Sequence, residues 1–341
     1  MDYEEKSELT EKRDIIINKL NNNDDLPKFK YFNQGSYAMY TGVEPLDKDY
    51  DIDIGLRFIV NKSDYEPLKL KKKVHEILED HTDYGAEIKE PCVTVTYKKK
   101  NDETFHVDLV VYAYEDMDNM DSQLYMARGD KNSKSEDKKW EESDPIKLKD
   151  LINNKFTIKE EKAQYRRIIR YMKRWKNIKF SADGNSEPHG IGVTLLAYEN
   201  FKTCKYDYLE GKFIANDLYA LIDFVKNIKD SFVYDGTDTG RELYRIHMDL
   251  PTKPNTDVFA KMTSIQMTNF KDKIDIMVTK LEEVKDEIDI VGQCNKLNKI
   301  FGDDFPLADK VKESKSQMNF IPATSVSGSS VKKWNEQLKT F

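Results

Sequence analysis

Two aspartates separated by one residue interrupt an apolar run, and this arrangement restricts the fold more than any other feature of the chain. Successive side chains of a strand point to opposite faces, so Asp51 and Asp53 share one face while Ile52 and Ile54 share the other. The pattern therefore predicts a strand that is buried on one side. Two neighbouring carboxylates repel each other unless a cation lies between them, so the open face of this strand is a candidate cation site.

A glycine and a serine precede this strand, at positions 35 and 36, and a third aspartate follows it in a later apolar segment. Asp108 lies within Phe105–Tyr112, a stretch rich in strand-forming residues, where an unpaired carboxylate is costly. Each part has an ordinary explanation. Gly-Ser pairs occupy many turns, and aspartates separated by one residue are common at solvated strand ends. Asp108 fits a bulge or a solvent-facing position beside His106. The combination of the three parts favours one shared site.

The chemistry that this residue set supports is in-line displacement at phosphorus. Carboxylate oxygens are the ligands that Mg²⁺ prefers, and three carboxylates on neighbouring strands can hold two ions about 3.5–4 Å apart. Asp51 and Asp53 would bind both ions and Asp108 one of them, with Mn²⁺ as the alternative metal. The backbone N–H groups of Gly35 and Ser36, with the Ser36 hydroxyl, would hold the outer phosphates, since glycine permits a close approach of backbone to ligand.

The bulk composition narrows the class of protein. A chain of 341 residues is long for one domain, so two are expected. A net charge of −7 argues against broad binding of long DNA or RNA, whereas a triphosphate that arrives with its own metal needs few local cations. Three scattered cysteines predict neither a disulfide framework nor a zinc site, and a reducing cytoplasm suits them. No run approaches the roughly 20 apolar residues of a membrane span, and the polar N-terminus is not a signal peptide.

Hydrophobic periodicity divides the chain into a strand-rich first part and a helical second part. In the first part, helices are predicted at 8–20 and 67–80, and strands at 93–97 and 105–112. In the second part, helices are predicted at 160–176, 190–201, 218–228 and 270–288, with a polar connection over 231–257. Residues 115–145 are polar and rich in turn formers, so the domain connection is placed there. The predicted domains are 1–130, a helical domain over 131–307, and a flexible tail over 308–341.

The helix predicted at 160–176 carries both an apolar and a basic face. Its apolar side chains follow helical spacing: Tyr165, Ile168, Ile169, Met172 and Trp175. Its basic side chains are Arg166, Arg167, Arg170, Lys173 and Arg174. A basic helix face is usually solvated, and contact with phosphate is the alternative.

Three segments resemble the core of the polymerase-β-like nucleotidyltransferases: Gln34–Ala38, Asp49–Gly55 and Val107–Asp108. More narrowly, they are similar to the cGAS/DncV-like nucleotidyltransferases of bacteria (CD-NTases), the signal-making cyclases of CBASS anti-phage operons. Arg170–Trp175, followed by Gly190–Leu196, is similar to the second domain of that family, as is the later Ile300–Pro306.

The resemblance implies an α+β fold. It would consist of a polymerase-β-like nucleotidyltransferase lobe with a mixed β-sheet, a C-terminal α-helical lobe, and an active-site cleft between them. The catalytic metal ligands would be Asp51, Asp53 and Asp108. The nucleotide-binding residues would be Gln34, Gly35, Ser36 and Lys173, of which the lysine contacts the donor triphosphate.

The function that the resemblance implies is the synthesis of a cyclic di- or trinucleotide second messenger from ATP, GTP, CTP or UTP. A separate effector protein would respond to the product, and a regulatory partner would control its synthesis. Two alternatives stay open. One is a template-independent nucleotidyltransferase that modifies RNA ends, a protein or a small molecule. The other is a catalytically silent nucleotide-binding member of the fold, against which the intact set of three aspartates argues.

Overall fold

The computed structural model describes residues 3–46, 49–98, 104–180, 186–203, 206–207, 212–213 and 216–307. The chain divides into two compact units. The first comprises Met1–Asn153 and Leu250–Asn255, and the second comprises Asn154–Asp249 and Thr256–Phe341. The tail predicted over 308–341 lies outside the described residues.

The first unit is built on a mixed sheet. Its strands are β1 (Phe29–Asn33), β2 (Asp49–Asn61), β3 (Ala86–Ile88), β4 (Val93–Lys98), β5 (Thr104–Tyr114), β6 (Leu124–Ala127) and β7 (Trp140–Ser143). Its helices are α1 (Tyr3–Asn21), α2 (Gly35–Ala38), α3 (Pro67–Leu78) and α4 (Pro145–Asn153). The strand order is β1-β2-β5-β4-β3, with β6 paired to β5 and β7 to β6. The β2–β5 pair is parallel and its neighbours are antiparallel, which confirms the mixed sheet that the resemblance implied.

One face of this sheet forms the main hydrophobic core. Ile52 and Ile54 of β2 are fully buried there, together with Val107 of β5. Helix α1 contributes Ile16 to the same cluster and α3 contributes Val74. Burial of one such aliphatic side chain contributes roughly 1.5–3 kcal/mol. A register slip of one residue would expose the whole apolar set of β2, so this core fixes the face on which the aspartates of β2 lie.

The second unit is mainly helical. Its helices are α5 (Lys159–Lys179), α6 (Gly190–Asn200), α7 (Asp217–Asp230), α8 (Ser264–Lys285) and α9 (Ile290–Phe301). Its short strands are β8 (Tyr206–Asp207), β9 (Lys212–Phe213), β10 (Val233–Asp238) and β11 (Arg241–Arg245). Helix α8 begins at a capping box, in which Thr263 and Gln266 each accept a hydrogen bond from the other's backbone N–H. No helix in the described ranges is both long and apolar enough to cross a bilayer.

The apolar face predicted for α5 is confirmed, because all five of its side chains are buried. The basic face differs from the solvated surface that its composition favoured. Arg167 pairs with the fully buried Asp217 of α7, and Arg174 pairs with Asp304. Lys173 is also buried. These acidic partners lie far away in sequence, so the helix pattern alone could not reveal them.

The boundary between the units follows residue 153 rather than residue 130. Residues 115–145, predicted as a connection, contain β6 and β7, and these strands extend the sheet from the edge of β5. Lys253 belongs to the same unit because its ammonium pairs with Glu142 and its carbonyl accepts from the N–H of Asp144. The connection predicted over 231–257 likewise contains the β10–β11 hairpin. Such short, polar strands show little apolar alternation, so tertiary pairing defines them rather than the local pattern.

Candidate active site

The parallel pairing of β2 and β5 brings the three predicted aspartates onto one face of the sheet. In the register, Asp53 lies beside Asp108, and Asp51 lies beside His106. Adjacent strands are roughly 4.8 Å apart, and alternate residues of one strand are roughly 6.6 Å apart. Residues 51, 53 and 108 therefore form a compact triangle on the face opposite the main core.

The three carboxylates form an open arrangement rather than a closed cage. Within the described part of the chain, no three His, Cys, Asp or Glu side chains converge as a group that could hold a metal ion. Like charges keep carboxylates apart, and the backbone spacing is short enough for rotation of the side chains to bring their oxygens together. The donor set itself fits Mg²⁺ or Mn²⁺, since it consists of hard carboxylate oxygens.

Asp51 shows the electrostatic consequence of this arrangement. Its pKa is raised above the ordinary value, first by desolvation and then by the negative charges of Asp108 and Asp49, while its own backbone N–H and His106 act in the opposite direction. The Asp51 side chain is exposed, so a cation from solvent can reach it. A carboxylate with a raised pKa among like charges is a feature of functional sites, and a bound cation would relieve the repulsion.

The turn at Gly35 lies directly against the second aspartate. Gly35 has a φ of +64°, and a β-carbon at this position would lie 1.9 Å from Oδ2 of Asp53. The backbone N–H of Gln34 donates a 2.9 Å hydrogen bond to the carbonyl of Asp53. The carbonyl of Ser36 in turn accepts from the N–H of Thr41 at 3.0 Å. The structure thus brings Gly35 against Asp53, with Ser36 next to it in the chain, and only glycine permits the close approach.

The side chain of Gln34 ties the same turn to the sheet. Its Oε1 accepts a 3.0 Å hydrogen bond from the hydroxyl of the buried Tyr112. Next to it, the ring of Phe32 lies across β2, where a β-carbon on Gly55 would approach that ring to 2.3 Å. Gln34 therefore has a structural role that its position in the sequence did not indicate.

A polar network beside the aspartates was missed by sequence reasoning. Asp49 accepts hydrogen bonds from Nε2 of His106 at 2.8 Å and from the hydroxyl of Thr104. Nδ1 of His106 lies 3.1 Å from Oγ1 of Thr96. The only signal in the sequence is the alternation of polar residues along β4 and β5. That alternation acquires meaning once the register places the two strands side by side.

Lys173, the remaining predicted site residue, belongs to the second unit. It is buried on α5, and a β-carbon on Gly190, the first residue of α6, would lie 3.8 Å from its Cε. The residues that the structure brings together are therefore those of the first unit: Gln34, Gly35, Ser36, Asp51, Asp53 and Asp108.

The part of the chain that carries this site matches a known protein family. Residues 29–112 match the family described as cyclic GMP-AMP synthase DncV-like, nucleotidyltransferase domain. A cyclic GMP-AMP synthase from Escherichia albertii is 27% identical over 180 residues, which cover 51% of this chain and 37% of that protein. The chain therefore aligns with less than half of the length of this curated relative.

Solved structures resemble a larger part of the chain. The GTP-bound form of DncV from Vibrio cholerae has a TM-score of 0.62 and 17% identity, and the match covers 83% of this chain and 70% of DncV. CdnG from Bradyrhizobium diazoefficiens, a CD-NTase in complex with GTP, has a TM-score of 0.62 and 13% identity, with coverage of 86% and 89%. Likeness at these identities concerns the fold, and it confirms the sheet-plus-helices architecture predicted from the sequence.

Proposed function

Because the chain carries a cGAS/DncV-like nucleotidyltransferase domain over residues 29–112, we propose that it joins nucleoside triphosphates into a cyclic di- or trinucleotide second messenger. The observation that carries the proposal is the register of β2 and β5, which sets Asp53 beside Asp108 on the face that also bears Asp51. A solvated strand end would not need a third carboxylate from a neighbouring strand, nor a glycine turn against one of the three.

The proposed mechanism assigns each residue of the first unit a binding or orienting task. Bound Mg²⁺ or Mn²⁺ supplies charge neutralisation at the leaving pyrophosphate and lowers the pKa of the attacking hydroxyl. Asp51 and Asp53 would hold both ions and Asp108 one. Gly35 would permit the backbone N–H groups of Gly35 and Ser36 to approach the outer phosphates, with the hydroxyl of Ser36 beside them. Catalysis of this kind rests on positioning and charge stabilisation rather than on covalent chemistry of the protein.

Two further residues complete the proposed nucleotide site. Gln34 is held by its hydrogen bond from Tyr112 and would orient the proposed phosphate-binding turn toward the nucleotide. Lys173 would contact the donor triphosphate with its ammonium group. In each transfer a ribose hydroxyl attacks the α-phosphorus of a second triphosphate and pyrophosphate leaves. Repetition yields a linear intermediate and then a closed ring.

The proposed partners follow from the product. ATP, GTP, CTP or UTP would serve as substrates, and a separate effector protein would respond to the cyclic nucleotide in anti-phage defence. The two cysteines in the described ranges, Cys92 and Cys294, are buried thiols, which suits the cytoplasmic location that we propose. DncV and CdnG have been solved with GTP bound, which supports a triphosphate as substrate.

The proposal is tested by mass spectrometry of reaction products. The protein is incubated with all four nucleoside triphosphates and with Mg²⁺ or Mn²⁺, and a phosphatase-resistant cyclic oligonucleotide is expected. The matched control is Asp51→Asn with Asp53→Asn, which removes two charges but little volume and is expected to abolish the product. An extended RNA, a nucleotidylated protein or a modified small molecule in place of a free ring would identify the transferase alternative. Nucleotide binding without any product would favour the catalytically silent member of the fold.

A further inference from the structure

Asp108 has a neighbour on each side within the sheet, and the two neighbours differ in chemistry. On β2 the register partner is Asp53, a second carboxylate, and on β4 it is Thr94. Oγ1 of Thr94 donates a 2.6 Å hydrogen bond to Oδ1 of Asp108. Only 2% of Thr94 is exposed, so the donor side of this bond is shielded from water. A hydrogen bond to a carboxylate is about twice as strong as one between neutral groups.

A buried thiol extends the hydrogen-bonded chain beneath the threonine. Sγ of Cys92 lies 3.5 Å from Oγ1 of Thr94. Burial, followed by the negative charge of Asp108, raises the pKa of Cys92 to about 12, so the thiol keeps its proton at neutral pH. An ionised carboxylate can only accept, so the hydroxyl proton of Thr94 points to Asp108. The hydroxyl oxygen is then free to accept from the thiol. The direction of the chain is therefore from Cys92 to Thr94 to Asp108.

We propose that Thr94 is a positioning residue for the third metal-binding carboxylate, an inference that rests on the proposed function. By holding Oδ1 of Asp108 toward β4, the threonine leaves the other oxygen as the one available to a divalent cation. Groups that orient a ligand in this way typically contribute 10–100-fold to metal affinity. A carboxylate restricted to one oxygen suits a small octahedral ion such as Mg²⁺ or Mn²⁺. Ca²⁺ is larger and often takes both oxygens of one carboxylate.

The test compares Thr94→Val, which keeps the shape but lacks the hydroxyl, with Thr94→Ser, which keeps the hydroxyl. Binding of Mn²⁺ to the full-length protein with a non-hydrolysable ATP analogue is measured by electron paramagnetic resonance, which needs no turnover. We expect the valine variant to bind Mn²⁺ about 10–100-fold more weakly and the serine variant to stay close to wild type. The valine variant should also discriminate less between Mn²⁺ and Ca²⁺ in competition.

Thr96→Val is the matched control, because its hydroxyl lies on the same face of β4 but contacts His106 instead of an aspartate. Its Mn²⁺ affinity is expected to match wild type. If Thr94→Val fails to fold, Thr94→Ala replaces it in the comparison with serine. Unchanged Mn²⁺ affinity in a folded Thr94→Val would overturn the positioning role, and so would equal losses of affinity in the valine and serine variants. In either case, synthesis of product by the wild-type protein would still support the proposed function. A wild-type protein that neither binds Mn²⁺ nor makes product would overturn the proposed function itself.

Discussion

Gly35 lies so close to Asp53 that a β-carbon at position 35 would come within 1.9 Å of the carboxylate oxygen Oδ2. The φ of +64° at Gly35 is also one that L-residues rarely adopt. The turn and the carboxylate are therefore one structural element, although 18 positions separate them in the sequence. The geometry of the proposed phosphate site cannot change at one of these residues without changing at the other.

Gly35→Ala should consequently impair transfer far more than it impairs folding. The methyl group must displace Asp53 or the turn, and a shift of about 1 Å in a catalytic group can cost about 100-fold in rate. The left-handed backbone conformation at position 35 is strained for alanine and should cost about 1–2 kcal/mol of stability. Product formation and urea denaturation measure the two effects. Gly42→Ala is the control, since its β-carbon would meet Oγ of Ser36 at an ordinary 3.5 Å. Equal activity of the two variants would contradict the proposed role of the turn.

Asp51→Asn is expected to stabilise the protein in EDTA while it reduces transfer by at least about 100-fold. The raised pKa of Asp51 means that the folded state holds the proton more tightly than the unfolded state. The contribution of Asp51 to stability is therefore greatest at low pH and falls as pH rises through the window between its unfolded and folded pKa values. Removal of the charge abolishes this penalty.

Thermal unfolding of wild type and Asp51→Asn in EDTA, from pH 4 to pH 7.5, checks this prediction. The variant should gain most at the upper end of the range, and added Mg²⁺ should stabilise wild type more than the variant. Asp49→Asn is the comparison, because the loss of the contact with His106 opposes the relief of repulsion with Asp51 and a smaller gain is expected. A lower unfolding temperature for Asp51→Asn at pH 7.5 would show that like-charge repulsion does not dominate at this position.

The sequence predicted those parts of the site that local alternation determines. Asp51 and Asp53 share a face because a strand has a period of two, and the apolar residues between them identify the buried side. Asp108 was found because a lone carboxylate stands out in an apolar strand. Gly35 was found as part of the Gly-Ser pair that precedes the two aspartates, while its contact with Asp53 required the fold.

The missed residues depend on pairings between distant segments. Thr94 binds Asp108 and Thr96 contacts His106 only because β4 lies beside β5 in one specific register. The composition of α5 favours a solvated Arg167, whereas its partner Asp217 follows 50 positions later on another helix. Neither partner can be read from spacing along one element. Short strands such as β7 are missed for the same reason, since the edge of a neighbouring strand defines them.

The burial of the Lys71 ammonium predicts that the free energy of unfolding rises with pH. Lys71 is fully buried, and its ammonium donates to the carbonyls of Lys89, Glu90 and Gly129 at 2.6, 2.9 and 2.8 Å. Burial lowers its pKa from 10.5 to about 8, because desolvation outweighs the nearby negative charges. Between these values the unfolded state binds more protons than the folded state, so the free energy of unfolding should rise with pH.

Comparison with Lys71→Met isolates this contribution from other groups that titrate at alkaline pH. The difference in unfolding free energy between wild type and the variant should grow by about 2 kcal/mol from pH 7.5 to pH 9.5. Urea denaturation at several pH values measures it. Lys72→Met, at the exposed neighbouring position on α3, should show no such trend. A constant difference between wild type and Lys71→Met across the range would rule out titration of the buried ammonium in this window.

The burial of Asp217 predicts that the stability of the second unit is sensitive to removal of this charge. Its carboxylate is fully buried and accepts hydrogen bonds from Gln164, Arg167 and Tyr171, with the guanidinium bound to both oxygens. Asp217→Asn keeps the volume but leaves a buried guanidinium without its counter-charge. Loss of one partner from a buried pair typically costs about 3–5 kcal/mol.

Urea denaturation followed by circular dichroism is expected to show this loss for Asp217→Asn. The control is Asp272→Asn, because Asp272 and its partner Arg241 are both about half exposed. A solvent-exposed pair contributes about 0–1 kcal/mol, so this variant should unfold close to wild type. Arg167→Met combined with Asp217→Leu should recover much of the lost stability, since removal of both charges leaves none unpaired. Similar unfolding of Asp217→Asn and Asp272→Asn would mean that the buried pair contributes no more than a surface one.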